Sequence, residues 1–307
     1  MATENVVFPF FSLVIPVYNR FELVKETIQS VLNQEFKSFE IIIVDDGSND
    51  GSGSQLDELF MGNKQVRIIH QDNLERGAAR NRGFREANGT YVVFLDSDDR
   101  LLPDHLDVLF NKLVVLEYPD FIASKFEFLS EGKRRASSLN NLKEGYYDYM
   151  IFLDGNPFGC NVCVRRGNEK LTLFPEDRKY AIKEDWLFFL KNLRYQRLYL
   201  IDQVTLLMLD HEDRSMRSNN EQLVAKTILA LNWIISNIEL TSGNLRRLIA
   251  HVNYFCAIHT YLDGRRIRSL GYAMKAIGKG GMRPKYIILI GKILIGRKLI
   301  MRFIHGS

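Results

Sequence analysis

The chain has 307 residues, 46% of them hydrophobic and 25% charged, with a net charge of +4. This is a globular composition and excludes a disordered polyelectrolyte. No run of about 18 uncharged apolar residues occurs, which argues against a membrane-spanning helix, and three cysteines give no disulfide framework, so a reducing, cytoplasmic setting is expected.

Met1 to Phe11 lacks the basic start and apolar core of a secretory leader. Phe11–Val17 is a short apolar run that predicts a buried strand, closed by Pro16-Val17-Tyr18-Asn19. Apolar residues at helical spacing predict a helix over Glu22–Asn33. Strands over Glu40–Val44, Val66–His70 and Tyr91–Leu95 alternate with helices over Gln55–Phe60, Arg76–Asn88 and Asp104–Glu117, with Gly89 as a C-terminal stop. Four such alternations in 117 residues predict a parallel sheet covered by helices on both faces. Ligands of such sheets sit beyond the carboxyl ends of the strands.

Two strands end in acid at that edge. Asp45-Asp46-Gly47-Ser48 follows the second, where the choices are an Asx-turn loop or acceptors for a nucleobase or ribose. Asp96-Ser97-Asp98-Asp99 follows the fourth. On extended backbone, residues i and i+2 point the same way, so Asp96 and Asp98 repel unless a cation lies between them. Hard oxygen ligands suit Mg²⁺ or Mn²⁺ shared with a diphosphate. The structural alternative is that Asp98 or Asp99 starts the helix near Pro103. Tyr18 has the choice of stacking on a base or packing in the fold.

Further strands are expected over Phe121–Phe128, Cys160–Arg165 and Thr205–Leu209, and a helix over Asp185–Leu193. Cys160 and Cys163 form a lone CxxC; a structural zinc site would need a second pair, so half-buried thiols are expected. Past Ser218 only helices are predicted, over Glu221–Ile238, Asn244–Leu262 and Ser269–Ile277. From Gly264 to Ser307 the chain carries 11 Lys/Arg and no Asp/Glu, leaving 30 basic against 37 acidic residues before it. Lys285, Lys292, Arg297, Lys298 and Arg302 are spread among Ile, Leu and Met between Pro284 and Ile304. That tail is too charged to span a bilayer and suits either an anionic membrane surface or packing on the body. It lacks the interleaved aromatics of a nucleic-acid binder, so no nucleic-acid partner is expected.

Five segments in this order resemble the inverting glycosyltransferases of family 2, bacterial polysaccharide-type: Ser12–Asn19, Ser30–Gln34, Glu40–Asp50, Gly77–Gly83 and Gly89–Asp99. The resemblance runs from about Phe11 to Asp213. It implies the α/β nucleotide-sugar-binding fold called GT-A, a Rossmann-like, mostly parallel sheet flanked by helices, with a C-terminal helical extension. The expected units are a catalytic domain over 1–217, its nucleotide half at 1–117 and acceptor half at 118–217, and a basic helical extension over 218–307. Pro16, Val17, Tyr18, Asn19, Asp45, Asp46, Arg80, Asp96 and Ser97 would bind the nucleotide-sugar, with Asp46 at the uracil edge. Asp98, Asp96 and His211 would hold Mg²⁺ or Mn²⁺. Glu184 and Asp185, after an upstream Phe174-Pro175-Glu176, would be the catalytic acidic pair, with Asp185 as base. The donor would be a UDP-sugar and the acceptor a glycan or lipid-linked glycan on the cytoplasmic membrane face. Two departures stand out: Leu74-Glu75 replaces the family's Gly-Gly, and no Gln-x-x-Arg-Trp element of processive polymerases occurs, which implies one sugar per turn. A nucleotidyltransferase is the rival enzyme, disfavoured because Phe11–Arg20 contains no Gly-rich basic loop; an inactive nucleotide-binding scaffold is the other alternative.

Overall fold

The computed structural model describes residues 8–211 and 219–296. The expected boundary between 217 and 218 falls outside these residues, as do Arg297, Lys298, Arg302 and the first seven positions. The strands β1 (Phe11–Val17), β2 (Phe39–Asp45), β3 (Val66–His70) and β4 (Tyr91–Phe94) alternate with the helices α1 (Phe21–Leu32), α2 (Ser52–Leu59) and α3 (Glu75–Glu86). They form a parallel half-sheet in the order β3-β2-β1-β4. Every residue of β1 is buried, as expected for a strand covered on both faces. Pro16 is tolerated there because β4 pairs only as far as Val14, so no ladder hydrogen bond is lost.

Next come β5 (Arg100–Leu101), α4 (His105–Val115), β6 (Phe121–Ser130), β7 (Lys133–Ala136), β8 (Gly145–Tyr147), β9 (Val162–Arg165), α5 (Glu184–Leu193) and β10 (Leu198–Leu209). The sheet continues from β4 through β9, β6 and β10 to β5, with β7 on β6 and β8 on β10. β9 lies antiparallel between β4 and β6, while β6 and β10 are parallel. The result is a mixed α/β fold with a mostly parallel central sheet, as the sequence predicts. β10 starts seven residues before the expected Thr205, because its exposed Asp202 and Gln203 hide the strand pattern. β7, all four residues exposed, carries no apolar signal. Gly89 is not a helix stop. A Cβ there would lie 2.7 Å from the Ser12 backbone nitrogen, so the glycine lets the chain pass against β1.

The helices α6 (Asn220–Asn237), α7 (Ser242–Leu262), α8 (Arg266–Gly280) and α9 (Pro284–Ile295) complete the described chain. Val224, Ala230 and Ile234 of α6, with Leu248, Val252 and Cys256 of α7, belong to the same buried cluster as the sheet. The first two helices of the extension are thus built into the main core. On α9, Tyr286, Leu289 and Ile293 are buried, while Ile287, Ile288, Leu294 and Ile295 are exposed. Among the described residues no helix is long and apolar enough to cross a membrane.

Candidate active site

A cleft of ≈ 1160 Å³ opens over the carboxyl ends of β1, β2 and β4. The loop after β4 is a tight turn, not the extended backbone expected for Asp96-Ser97-Asp98: the Asp99 N–H donates to the Asp96 carbonyl at 3.1 Å. This turn brings one carboxylate oxygen each of Asp96, Asp98 and Asp99 within 4.8 Å of one another. The helix-starting alternative is not realised, since α4 begins only at His105, after β5. The end of α1 braces the segment that follows: Ser30 Oγ accepts from Leu101 N–H, and Gln34 bonds the Leu102 carbonyl and Leu106 N–H. His211 Nε2 lies 2.9 Å from Asp98 Oδ2, and Arg20 Nη1 lies 3.3 Å from the same oxygen. Three hard carboxylate oxygens are a donor set that fits Mg²⁺ or Mn²⁺, and His211 stands beside one of the three side chains.

Arg80 stands between the two acidic groups. It is 2% exposed; its Nη1 donates to Glu184 Oε1 at 2.9 Å and its Nη2 to Asp96 Oδ1 at 2.6 Å. The guanidinium also lies over the Phe174 ring. Burial would raise the Asp96 pKa, but the charge and hydrogen bond of Arg80 outweigh it and hold that carboxylate below its usual range. Asn81 fixes the segment around Phe174: its side chain bonds the Phe174 N–H, the Phe174 carbonyl and Glu176. Gly77 makes room for the acidic pair, since a Cβ there would stand 2.8 Å from the Pro175 carbonyl oxygen and 3.5 Å from Glu184 Cγ.

Asp185 follows Glu184 at the start of α5. Its Oδ1 accepts from Trp186 N–H at 2.6 Å. Burial, reinforced by the Glu184 charge, raises its pKa to about 7 against the pull of Arg80 and Lys183. A carboxylate poised near 7 is suited to general-base work. The residue just before this pair's lysine, Ile182, has φ +77. A β-branched side chain in the left-handed region is a genuine outlier, and such strain concentrates at functional sites.

On the nucleotide side, Pro16, Val17, Tyr18, Asp46, Arg80, Asp96 and Ser97 all line the cleft. Asp46 is buried, and its Oδ1 accepts from Gln71 and from Leu74 N–H. Asp45 and Asn19 lie outside the lining and hold the loops. Asp45 accepts from Ser48 N–H and pairs with His70, while Asn19 bonds Ser48 and Asn49 across the two strand ends. His70 is driven above its ordinary pKa by that Asp45 bond. Cys160 and Cys163 are fully buried, not half-buried, with thiols pushed up by burial. Glu75, where the family motif has glycine, keeps a glycine-like φ of +73 and ion-pairs with Arg178 at the cleft. Asp99 was legible only as a helix starter, and Asp154, Arg247, His251 and Phe255, which also line the cleft, carried no motif at all.

The family model described as Glycosyl transferase family 2 matches residues 12–170. An uncharacterized glycosyltransferase of Haemophilus influenzae is 32% identical over 197 residues, 61% of this chain and 72% of that protein. One of Rickettsia felis is 36% identical over 141 residues, 46% of this chain but 23% of that protein, so the match spans about a quarter of that relative's length. Among solved structures, S. aureus TarS 1-349 in complex with UDP-GlcNAc superposes with a TM-score of 0.68 at 19% identity, covering 97% of this chain and 92% of that one. That likeness is one of fold.

Proposed function

This chain belongs to glycosyl transferase family 2, and on that premise we propose that it moves one sugar per turn, with inversion, from a UDP-sugar to a hydroxyl of a glycan or lipid-linked glycan in cell-surface polysaccharide synthesis. The observation that carries the reading is the Asp96–Arg80–Glu184 bridge, which ties the three-carboxylate turn to Asp185 across one cleft. The UDP-GlcNAc held by the TarS neighbour favours the uridine donor.

In this reading Tyr18 and Asp46 receive the base, with the acidic group taking a base N–H. Asp96, Asp98, Asp99 and His211 would hold a Mg²⁺ or Mn²⁺ ion, which when bound would supply positive charge to the leaving diphosphate. Arg80 fixes Glu184 and Asp96, so the two ends of the cleft keep their spacing. Asp185 takes the proton of the attacking acceptor hydroxyl. A single carboxylate poised as base, Asp185, favours inversion.

The test is UDP release from a panel of UDP-sugars, with and without Mn²⁺, for the protein and for Asp98→Ala. The expected result is Mn²⁺-dependent release by the wild type and at least tenfold weaker UDP–Mn²⁺ binding by the variant. Pyrophosphate release from a nucleoside triphosphate would favour the nucleotidyltransferase instead, and tight UDP binding without turnover the scaffold.

The exposed Ile287, Ile288, Leu294 and Ile295 of α9, beside Lys285 and Lys292 in an acid-free stretch, support an anionic lipid surface as a further partner. Co-sedimentation with phosphatidylglycerol vesicles but not phosphatidylcholine ones is expected, and loss of the difference in Lys285→Glu/Lys292→Glu. Equal sedimentation with both lipids would discard the idea.

A further inference from the structure

Part of the cleft's lining comes from the helical extension. Arg247, His251 and Phe255 of α7 and Thr227 of α6 line it together with Asp154 and Gly155. Arg247 Nε and Nη2 both donate to Asp154 Oδ2, at 3.1 and 2.8 Å. That leaves Asp154 Oδ1 shielded from solvent, with no hydrogen-bond partner among the described residues. His251 Nδ1 is in the same position. Burial keeps this imidazole neutral near pH 7, with a pKa of about 4. Gly155, at φ +108, lies under the ring; a Cβ there would come within 3.2 Å of His251 Nε2. The His251 ring meets the Trp186 ring edge-on at 6.4 Å between centroids, and Trp186 is the residue after Asp185.

Shielded polar atoms without partners carry their full desolvation penalty, and native structures seldom keep them without a purpose. From these unpartnered atoms, on two residues that line one cleft beside the base, we infer that a bound saccharide ring draws the Asp154 and His251 side chains out to its hydroxyls and so forms an acceptor subsite, with Arg247 positioning Asp154. A hydroxyl suits both atoms: it donates to the carboxylate, and it donates to or accepts from the imidazole in either tautomer. A phosphate monoester dianion has no proton for Asp154 Oδ1 and so does not fit. The inference rests on reading the cleft as a glycosyltransfer site, and it moves part of the acceptor site from the expected 118–217 into the extension.

The experiment uses the full chain with UDP and Mn²⁺ at saturation, and methyl glycosides of glucose, galactose and N-acetylglucosamine as probes in saturation-transfer NMR. At least one glycoside is expected to bind the wild type. Its affinity should fall tenfold or more in Asp154→Ala and His251→Phe, and within about threefold of wild type in His251→Gln. Asp154→Asn, which keeps the shape, repeats the test should the alanine variant fail to fold. UDP–Mn²⁺ affinity, measured by calorimetry, should not change in any of them. The inference is overturned if no glycoside binds the wild type, if UDP displaces the glycoside, or if the variants bind it as well as the wild type. Absent UDP binding with glycoside binding intact would instead sink the donor reading and leave the subsite standing.

Discussion

Asp185→Asn is expected to lower the transfer rate by about 10² to 10⁴, the usual contribution of a general base, with UDP–Mn²⁺ affinity unchanged. The substitution keeps the oxygen that accepts from Trp186 N–H and removes only the proton-accepting charge. The pH profile sharpens the test. The Asp185 pKa is raised to about 7, by burial first and Glu184 second, so the wild-type kcat/KM should climb as pH rises through about 7, and the variant's residual rate should lack that limb. The stability effect has a definite sign. Between the ordinary carboxylate range and pH 7 the folded state holds a proton that the unfolded chain has released, so stability falls as pH rises through that window. The amide of the variant does not titrate and escapes this loss. Asp185→Asn should therefore gain thermal stability over wild type at pH 8, a gain that disappears toward pH 4. Transfer at a near-normal rate would remove Asp185 from the mechanism.

Arg80→Met should be the most destabilising change in the site, costing about 3–5 kcal/mol in urea unfolding. The side chain is nearly wholly enclosed, and Glu184, its partner at 2.9 Å, is only 4% exposed. Removing the cation leaves the buried Glu184 with only the longer Arg76 pair at 3.8 Å and Asp96 without its shortest contact. Adding Glu184→Gln to Arg80→Met should recover part of the loss, because the orphaned charge goes too; contacting residues are expected to deviate from additivity in this way. Arg80 also lowers the Asp185 pKa, so any activity left in Arg80→Met should show its acid limb displaced above pH 7. A cost under about 1 kcal/mol would mean that the bridge contributes little to the fold.

The nucleotide half was legible because β1, β2 and β4 are covered on both faces and read as apolar runs, with β2 and β4 closed by acid. The rest was harder for specific reasons. In β10 the exposed Asp202 and Gln203 break the pattern, and β7 has no buried residue to betray it. Of the two neighbouring acids, sequence does not say that Asp46 faces the cleft while Asp45 turns to Ser48 and His70; that choice belongs to the loop geometry. Asp99 joins Asp96 and Asp98 only because the backbone turns there. The helices α6, α7 and α8 were predictable from period alone, while α9 was read only as a basic, apolar tail. Periodicity shows that a helix has an apolar face, but not what it covers, so their share in the main core and in the cleft was invisible.

Ile182 has one more implication. A side chain forced into backbone space that suits glycine costs on the order of 1–2 kcal/mol, and here it sits directly ahead of the Lys183-Glu184-Asp185 run. Selection for heat tolerance alone would drift toward glycine or asparagine at this position, while selection for turnover would hold the isoleucine. A thermostable descendant of this chain is therefore expected to lose speed first here, in the strained segment that leads into Glu184 and Asp185.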